Sequence, residues 1–295
     1  MTKKDSSGNL GVKLAWFAAA VSALVAPLAG VLVALPSTWA PGTVGGLLGE
    51  EMLDTHQKAK DYADRSIQEA LQIWAESTTN WQVMLDMNEP HNNMTLEARR
   101  ITEGPFSKSG VLLTRQVGRV PGVSAQDLYD FLISPEGFAV IDPMSDPVDF
   151  DKYIERIPNW RRGGRLEVGE SYVPSSSFSN ELLFVVLNTF LPAERLFVSK
   201  SILHPSRPGH SIFYDGDRVA AGENGNRTRV INTYALQVSD SADGVAEVKI
   251  IGYIDGFPAW DFLINYLTCK IGPSEFFPRL HAALEARRTA DLDVM

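Results

Sequence analysis

The chain has one cysteine, Cys269, among its 295 residues. A single cysteine excludes an internal disulfide, a zinc site built on several thiolates and a CxxC redox pair. We expect Cys269 to be buried as a small apolar residue, which is the common state of a free cysteine. One thiol is compatible with a reducing or an oxidising compartment, so both stay open.

Familiar catalytic signatures are missing as well. The sequence contains no GxSxG elbow, no Walker loop and no GxGxxG after a predicted strand, and its five histidines include no HExxH pair. The aspartates of residues 142–151 lack the one-three-five spacing, with glycine at six, of a calcium loop. We therefore predict no metal ion, no cofactor and no enzymatic activity of a familiar class.

Positive charge is scarce. Lysine and arginine number 27 against 36 acidic residues, and the net charge is −9. Three lysines and one aspartate give residues 1–40 a charge of +2, which leaves −11 for residues 41–295. Nucleic-acid binding relies on clustered lysine and arginine, so we exclude nucleic acid as a partner.

One long uncharged run is present, AWFAAAVSALVAPLAGVLVAL, at residues 15–35. As a helix it would extend about 30 Å, the thickness of the hydrocarbon core of a bilayer. The sequence predicts a single-pass membrane anchor within residues 1–40. Its basic flank comes first, which favours an N-terminus in the cytosol and a body that faces a lumen or the cell exterior. The alternative is a cleaved secretory signal, although the run is longer than the usual 7–15 residues.

The remaining chain alternates between helical and strand patterns. Glycine-rich residues 41–50 predict a flexible joint, and residues 51–295 predict one folded domain. Apolar spacing predicts helices over residues 51–77, 124–133 and 258–288, the last interrupted at Gly272-Pro273. Strands are predicted at residues 81–87, 95–101, 110–120, 164–173, 181–189, 195–203, 211–219, 227–238 and 245–254. This order indicates an α+β fold with a curved antiparallel sheet around a long C-terminal helix.

The last predicted helix carries more apolar bulk than a surface helix needs. The apolar positions before its interruption are Trp260, Leu263, Ile264, Leu267 and Ile271, and those after it are Phe276, Phe277, Leu280 and Leu284. This pattern fits a filled core or a cavity that holds a ligand, and by itself it does not separate the two.

Three segments resemble the START domain, the lipid-transfer module related to steroidogenic acute regulatory protein. VKIIGYIDGFPAWDFLINYL is similar to the end of that domain, where a strand runs through an Asp, Gly and Pro turn into a helix with Trp and Asn. LPAERLFVSKSILHPSRPG resembles its Pro-x-Arg-Asp-Phe-Val segment, with Leu196 where an acid is expected. GVSAQDLYDFLISPE resembles its second helix. The resemblance covers residues 55–288.

The resemblance implies a helix-grip fold with a lipid-sized tunnel beneath the C-terminal helix, and hence a lipid-binding or lipid-transfer protein. Together with the anchor predicted at residues 15–35, it predicts such a protein tethered to a membrane. From the apolar set we predict lining residues Phe184, Phe197, Tyr234, Trp260, Ile264 and Leu267. Head-group candidates on predicted strands are Arg115, Arg119, Glu181 and Arg218, although a solvated strand face is the commoner state of such residues. The sequence does not distinguish between a sterol, a phospholipid and a sphingolipid.

Two other functions stay open. Helix-grip enzymes such as cyclases and hydrolases use the same cavity, and here the titratable candidates are Asp142, Glu181 and His204. A lipid-sensing scaffold would differ from a carrier in holding its lipid instead of releasing it.

Overall fold

The computed structural model describes residues 46–141, 153–173, 181–207, 213–214, 217–218, 227–241, 243–256 and 261–293. The predicted anchor at residues 15–35 and the predicted loop at residues 142–151 lie outside these ranges. In the part of the chain that is described, every helix is too short or too polar to cross a bilayer. The predicted α+β class is confirmed.

The elements follow the predicted order, with some additions. The helices are α1 His56–Ala75, α2 Ala125–Leu132, α3 Pro135–Ile141, α4 Asp261–Tyr266 and α5 Gly272–Asp293, with short 3-10 turns at Thr78–Asn80 and Pro192–Glu194. The strands are β1 Gln82–Glu89, β2 Asn92–Arg100, β3 Leu112–Val120, β4 Glu155–Arg156, β5 Arg165–Val173, β6 Glu181–Leu191, β7 Leu196–Ser201, β8 Phe213–Tyr214, β9 Asp217–Arg218, β10 Arg227–Arg229, β11 Ile231–Asp240 and β12 Ala246–Asp255.

Ten of these strands form one sheet, in which nine follow the order β1-β2-β3-β12-β11-β7-β6-β5-β4. All neighbours in this order are antiparallel. The tenth, the short β10, pairs in parallel with the start of β6, beyond the point where β7 ends. The predicted strand at residues 211–219 is a small separate hairpin, β8-β9. The last strand of the chain, β12, therefore pairs with β3, so β11 and β12 lie beside the first three strands.

Helix α1 covers one side of the sheet, which we call the outer face. Thr55 caps its N-terminus by accepting a hydrogen bond from the Lys58 N–H at 3.3 Å. Its buried side chains join two apolar clusters with alternate residues of β3, β5, β6, β7, β11 and β12. At its other end Arg115 donates to the carbonyls of Ile73 and Glu76, at 3.1 and 2.9 Å. The predicted helix at residues 51–77 thus begins and ends with identifiable contacts.

Residues 46–53 are bound to the same face, although residues 41–50 were expected to form a flexible joint. Leu47 and Leu53 are buried in the two outer-face clusters. Glu50 and Arg229, both almost fully buried, lie 3.4 Å apart. The Leu48 N–H donates to Glu69 of α1, which also pairs with buried Lys200. Residues 46–53 are therefore part of the folded body.

The opposite side of the sheet, which we call the inner face, carries the other set of alternate residues. Helix α5 packs against this face at Gly118 of β3, where an added Cβ would overlap the ring of Phe277. Phe277 is fully buried, and Phe276, Leu280 and Leu284 of the same helix are buried beside it. Glycine at position 118 allows this close approach between helix and strand.

The C-terminal helix is continuous through the predicted interruption. Residues Leu267–Ile271 form a π-helical turn between α4 and α5, so Gly272-Pro273 widens the helix without ending it. Pro278 lies inside α5 and lacks the N–H that would bond the Ser274 carbonyl. The Asn92 amide of β2 donates to that carbonyl instead, at 3.0 Å. A side chain of the sheet thus replaces a missing helical bond.

Candidate functional site

A row of polar residues crosses the inner face. The strand registers place five of them side by side on consecutive strands, with Gly252 of β12 between the first two: Thr114, Tyr234, Ser199, Asn188 and Glu167. We call these five the polar row. Paired residues of neighbouring strands share one face, so these side chains leave the sheet on the same side. A polar line within a buried face is uncommon and needs a physical explanation.

The hydroxyl of Tyr234 is the most unusual group of this row. Its oxygen is buried and has no hydrogen-bond partner among the described residues. Burial raises the pKa of Tyr234 well above its ordinary value, so the phenol stays protonated. The Nε2 of Gln116, which lies one row away on β3, is likewise buried without a partner in the described part of the chain. Two uncharged hydrogen-bond donors on this face are therefore available to a ligand.

The other end of the row holds Asn188 and Glu167. Gly169 of β5 leaves room for the amide of Asn188, since a Cβ there would meet its nitrogen at 2.7 Å. Glu167 is almost fully buried and lies 3.5 Å from the guanidinium groups of both Arg156 and Arg165. Arg165 in turn lies over the ring of Phe190, with its Cζ 3.9 Å from the centroid. The carboxylate of the row is thus compensated by two cations at the sheet edge.

Apolar side chains flank the polar row. The neighbouring row of the inner face contains Leu96, Ile250, Leu236, Phe197 and Phe190, all buried. The rings of Phe190 and Phe197 are 4.8 Å apart, and those of Phe197 and Tyr234 are 6.2 Å apart. An apolar wall with a few fixed polar groups is the usual composition of a site for an amphipathic small molecule.

Three of the six predicted lining residues share this face. Phe184, Phe197 and Tyr234 stand at inner-face positions of β6, β7 and β11. Ile264 packs against the outer-face cluster instead, and Leu267 is 41% exposed. Trp260 lies outside the described residues.

The start of the C-terminal helix is fastened to the start of β3. The carboxylate of Asp261 accepts from the Gly110 N–H at 3.1 Å. The amide of Asn265 accepts from the Leu112 N–H at 2.8 Å and donates to the Gly110 carbonyl at 2.9 Å. These hydrogen bonds give Asn265 a structural role, and they fix the position at which the helix crosses the sheet.

Two of the predicted head-group arginines, Arg115 and Arg119, do not contribute to the inner face. Arg115 lies on the outer face, where it donates to Glu97 at 2.6 Å and stacks on Trp81 at 4.3 Å. Arg119 also points away from the inner face and pairs with exposed Asp243. Arg218 and Glu181 are described only in their backbone. No motif in the sequence identified the buried polar residues of this face, although each occupies an alternate position in its strand: Thr114, Gln116, Ser199, Asn188 and Glu167.

The enzyme candidate His204 is likewise on the outer side. It lies with His56 around Glu155 in a surface cleft of about 480 Å³. The Nε2 atoms of His56 and His204 are 2.6 and 3.3 Å from the two oxygens of Glu155. The bond from His56 lowers the pKa of Glu155. Among the described residues, no three His, Cys, Asp or Glu side chains are arranged to hold a metal ion, and Asp142 lies outside them.

Comparison with known proteins adds a structural likeness. No protein-family model matches the sequence, and no curated protein matches it significantly. Human StAR-related lipid transfer protein 5 superposes with a TM-score of 0.57 and 15% identity, over 79% of this chain and all of that one. Human STARD10 superposes with a TM-score of 0.50 and 11% identity, over 75% and 81% of the two chains. The chain therefore has the helix-grip fold of the StAR-related lipid transfer domains.

Proposed function

We propose that the protein binds one lipid between the inner face of the sheet and the C-terminal helix, and transfers it between membranes. The observation that carries the proposal is the polar row, with its unpartnered Tyr234 hydroxyl among the described residues, within an otherwise apolar face. The likeness to human StAR-related lipid transfer protein 5, whose name states lipid transfer, supports it. The apolar wall would take the acyl or ring part of the lipid, and the polar row would hold its head.

We further propose that residues 15–35 anchor the protein in a membrane. Support comes from 21 uncharged residues in succession, which is enough to span a bilayer as a helix. Alkaline carbonate extraction of membranes from cells that express the full chain tests this part separately. Protein released to the supernatant would overturn the anchor and leave lipid binding unaffected.

The test of lipid binding uses the full chain, reconstituted into phosphatidylcholine vesicles. Photoactivatable, clickable lipids at about one mole per cent are irradiated, and labelled peptides are identified by mass spectrometry. Lipid held by the domain labels peptides of β6, β7, β11 and β12, whereas lipid around an anchor labels residues 15–35. If no probe labels the sheet peptides, the proposed function fails.

Transfer is distinguished from sensing by exchange. A carrier releases its lipid to acceptor vesicles within the lifetime of an encounter. Probe acquired from donor vesicles should therefore be displaced by an excess of unlabelled lipid that is added before irradiation. A bound lipid that cannot be displaced would favour the sensing scaffold. No described residue of the inner face favours the enzyme alternative by its geometry.

A further inference from the structure

The inner face also constrains the charge of the lipid, an inference that rests on the proposed function. The strand registers identify three inner-face positions on each of β3, β12, β11, β7 and β6. One is the position in line with the polar row, and the other two lie two residues before and two residues after it in the same strand. These positions are Leu112, Thr114, Gln116, Ile250, Gly252, Ile254, Asn232, Tyr234, Leu236, Phe197, Ser199, Ser201, Val186, Asn188 and Phe190. None of these fifteen described positions carries a charged side chain.

An uncharged wall is a poor environment for a phosphate. Phosphate sites in proteins use arginine, lysine or the N-terminus of a helix, because the anion loses its hydration when it is enclosed. The charged residue of the row, Glu167, is already paired with cations. The cations that approach it, Arg156 and Arg165, lie at the sheet edge, with side chains 47% and 35% exposed.

The polar groups present suit an uncharged head with hydrogen-bond acceptors. Tyr234 and Gln116 offer an O–H and an N–H that lack partners among the described residues. A hydroxyl or a carbonyl oxygen accepts from such donors without the desolvation cost of an ion. We infer that the ligand is an uncharged lipid whose head carries a hydroxyl or carbonyl group, such as a sterol, a ceramide or a diacylglycerol, and that Tyr234 and Gln116 donate to that group.

The experiment compares five photoactivatable probes on the full chain in phosphatidylcholine vesicles: a sterol, a ceramide, a diacylglycerol, phosphatidylcholine and phosphatidic acid. We expect at least one uncharged probe to label the sheet peptides about tenfold more than either phosphate-bearing probe. The three uncharged arms identify which of these lipids supplies the head group.

Two variants assign the contact. Tyr234→Phe removes only the hydroxyl, and one lost hydrogen bond predicts about a fivefold loss of sheet labelling at subsaturating probe. Gln116→Leu removes the amide and should have a similar effect. The matched control is Tyr253→Phe on the outer face of the neighbouring strand, whose hydroxyl donates to buried Asp255 at 3.0 Å. This control should leave the labelling unchanged.

The outcomes separate the two claims. Equal or stronger sheet labelling by phosphatidylcholine or phosphatidic acid overturns the uncharged ligand but leaves lipid binding intact. Uncharged labelling that neither Tyr234→Phe nor Gln116→Leu reduces overturns the assigned contact. Absence of sheet labelling by every probe removes the proposed function itself. Because these two atoms make no hydrogen bond within the described part of the protein, both variants should fold, and urea unfolding of each verifies this.

Discussion

The contact between Phe277 and Gly118 should be the main attachment of the C-terminal helix to the sheet. Phe277 is fully buried, and its ring occupies the space that a side chain at position 118 would need. Phe277→Ala removes this ring and leaves a cavity, which predicts a loss of about 3–5 kcal/mol in the free energy of unfolding. Gly118→Ala in the natural chain forces the ring away and should cost about 1–3 kcal/mol.

The two substitutions should not be additive. In the Phe277→Ala background the methyl group at position 118 enters the space that the ring has left, and alanine also suits a strand better than glycine does. We therefore expect the double variant to be about 2 kcal/mol more stable than the sum of the single effects predicts, within the range measured for residues in contact.

The assay is urea unfolding of the full chain in detergent micelles, followed by tryptophan fluorescence, with the four free energies combined as a double-mutant cycle. The matched control pairs Phe277→Ala with Ile157→Val in the outer-face cluster, where no contact is shared and the effects should add. A coupling below about 0.5 kcal/mol for the Phe277 and Gly118 pair would refute the proposed packing of helix on strand.

Three further predictions concern the same helix. His281 is buried against His91, with ring centroids 5.1 Å apart, and burial, followed by the charge of His91, lowers its pKa. The folded protein then binds fewer protons than the unfolded chain, so stability should fall as pH drops below about 6.5, and His281→Leu should flatten this slope in urea midpoints measured from pH 8 to 5. Burial raises the pKa of the Cys269 thiol to about 11, so iodoacetamide at pH 8 should label it only in urea, as mass spectrometry would reveal. Asn92→Ala removes the donor to the Ser274 carbonyl and should cost about 1–2 kcal/mol in the urea assay.

Each of these has a clear contrary result. Unchanged acid sensitivity in His281→Leu would mean that protonation of other groups, such as carboxylates, causes the loss of stability. The two charges near His281 have opposite effects on its pKa, because Glu285 favours and Arg288 opposes its protonation. Rapid alkylation of Cys269 in the native protein would mean that the π-helical turn is open in solution. An Asn92→Ala protein of natural stability would show that water replaces the lost bond.

The sequence was sufficient for the class of fold and for most strands, because alternation and turn residues act locally. It was insufficient to show which side chains of a strand lie on the outer face of the sheet and which on the inner face. In β6 both sets of alternate residues are apolar, so ELLFVVLNTFL does not show which set meets α1 and which meets the ligand side. Only the register with β5 and β7 places Leu183, Val185 and Leu187 in the outer-face cluster and Asn188 opposite them. Long-range pairing, which no local pattern contains, decides this.

The C-terminal helix illustrates a second limit. A helical period of 3.6 residues puts Ile264 and Leu267 about 60° apart, on one face of the first half of this helix. The π-helical turn inserts an additional residue into this period and rotates the two halves relative to each other. Burial is supplied by the second half, in which Phe277 and Leu280 are fully buried, while Leu267 is 41% exposed. Helical spacing placed Ile264 and Leu267 in the predicted lining set, but it does not contain the position at which the helix crosses the sheet.

The unpartnered polar groups of the inner face carry a cost that a bound ligand would offset. A buried hydroxyl or amide without a partner destabilises a protein by about 1–3 kcal/mol, and phenylalanine or leucine would fill the same space without that cost. Tyr234 and Gln116 both carry such a group on the inner face. Local departures from stability of this kind are typical of functional sites, where an interaction partner supplies the missing bonds. The polar groups of Tyr234 and Gln116 should therefore stabilise the lipid-loaded protein and destabilise the empty one. Without lipid, Tyr234→Phe should raise the free energy of unfolding, whereas it should weaken the binding of an uncharged lipid.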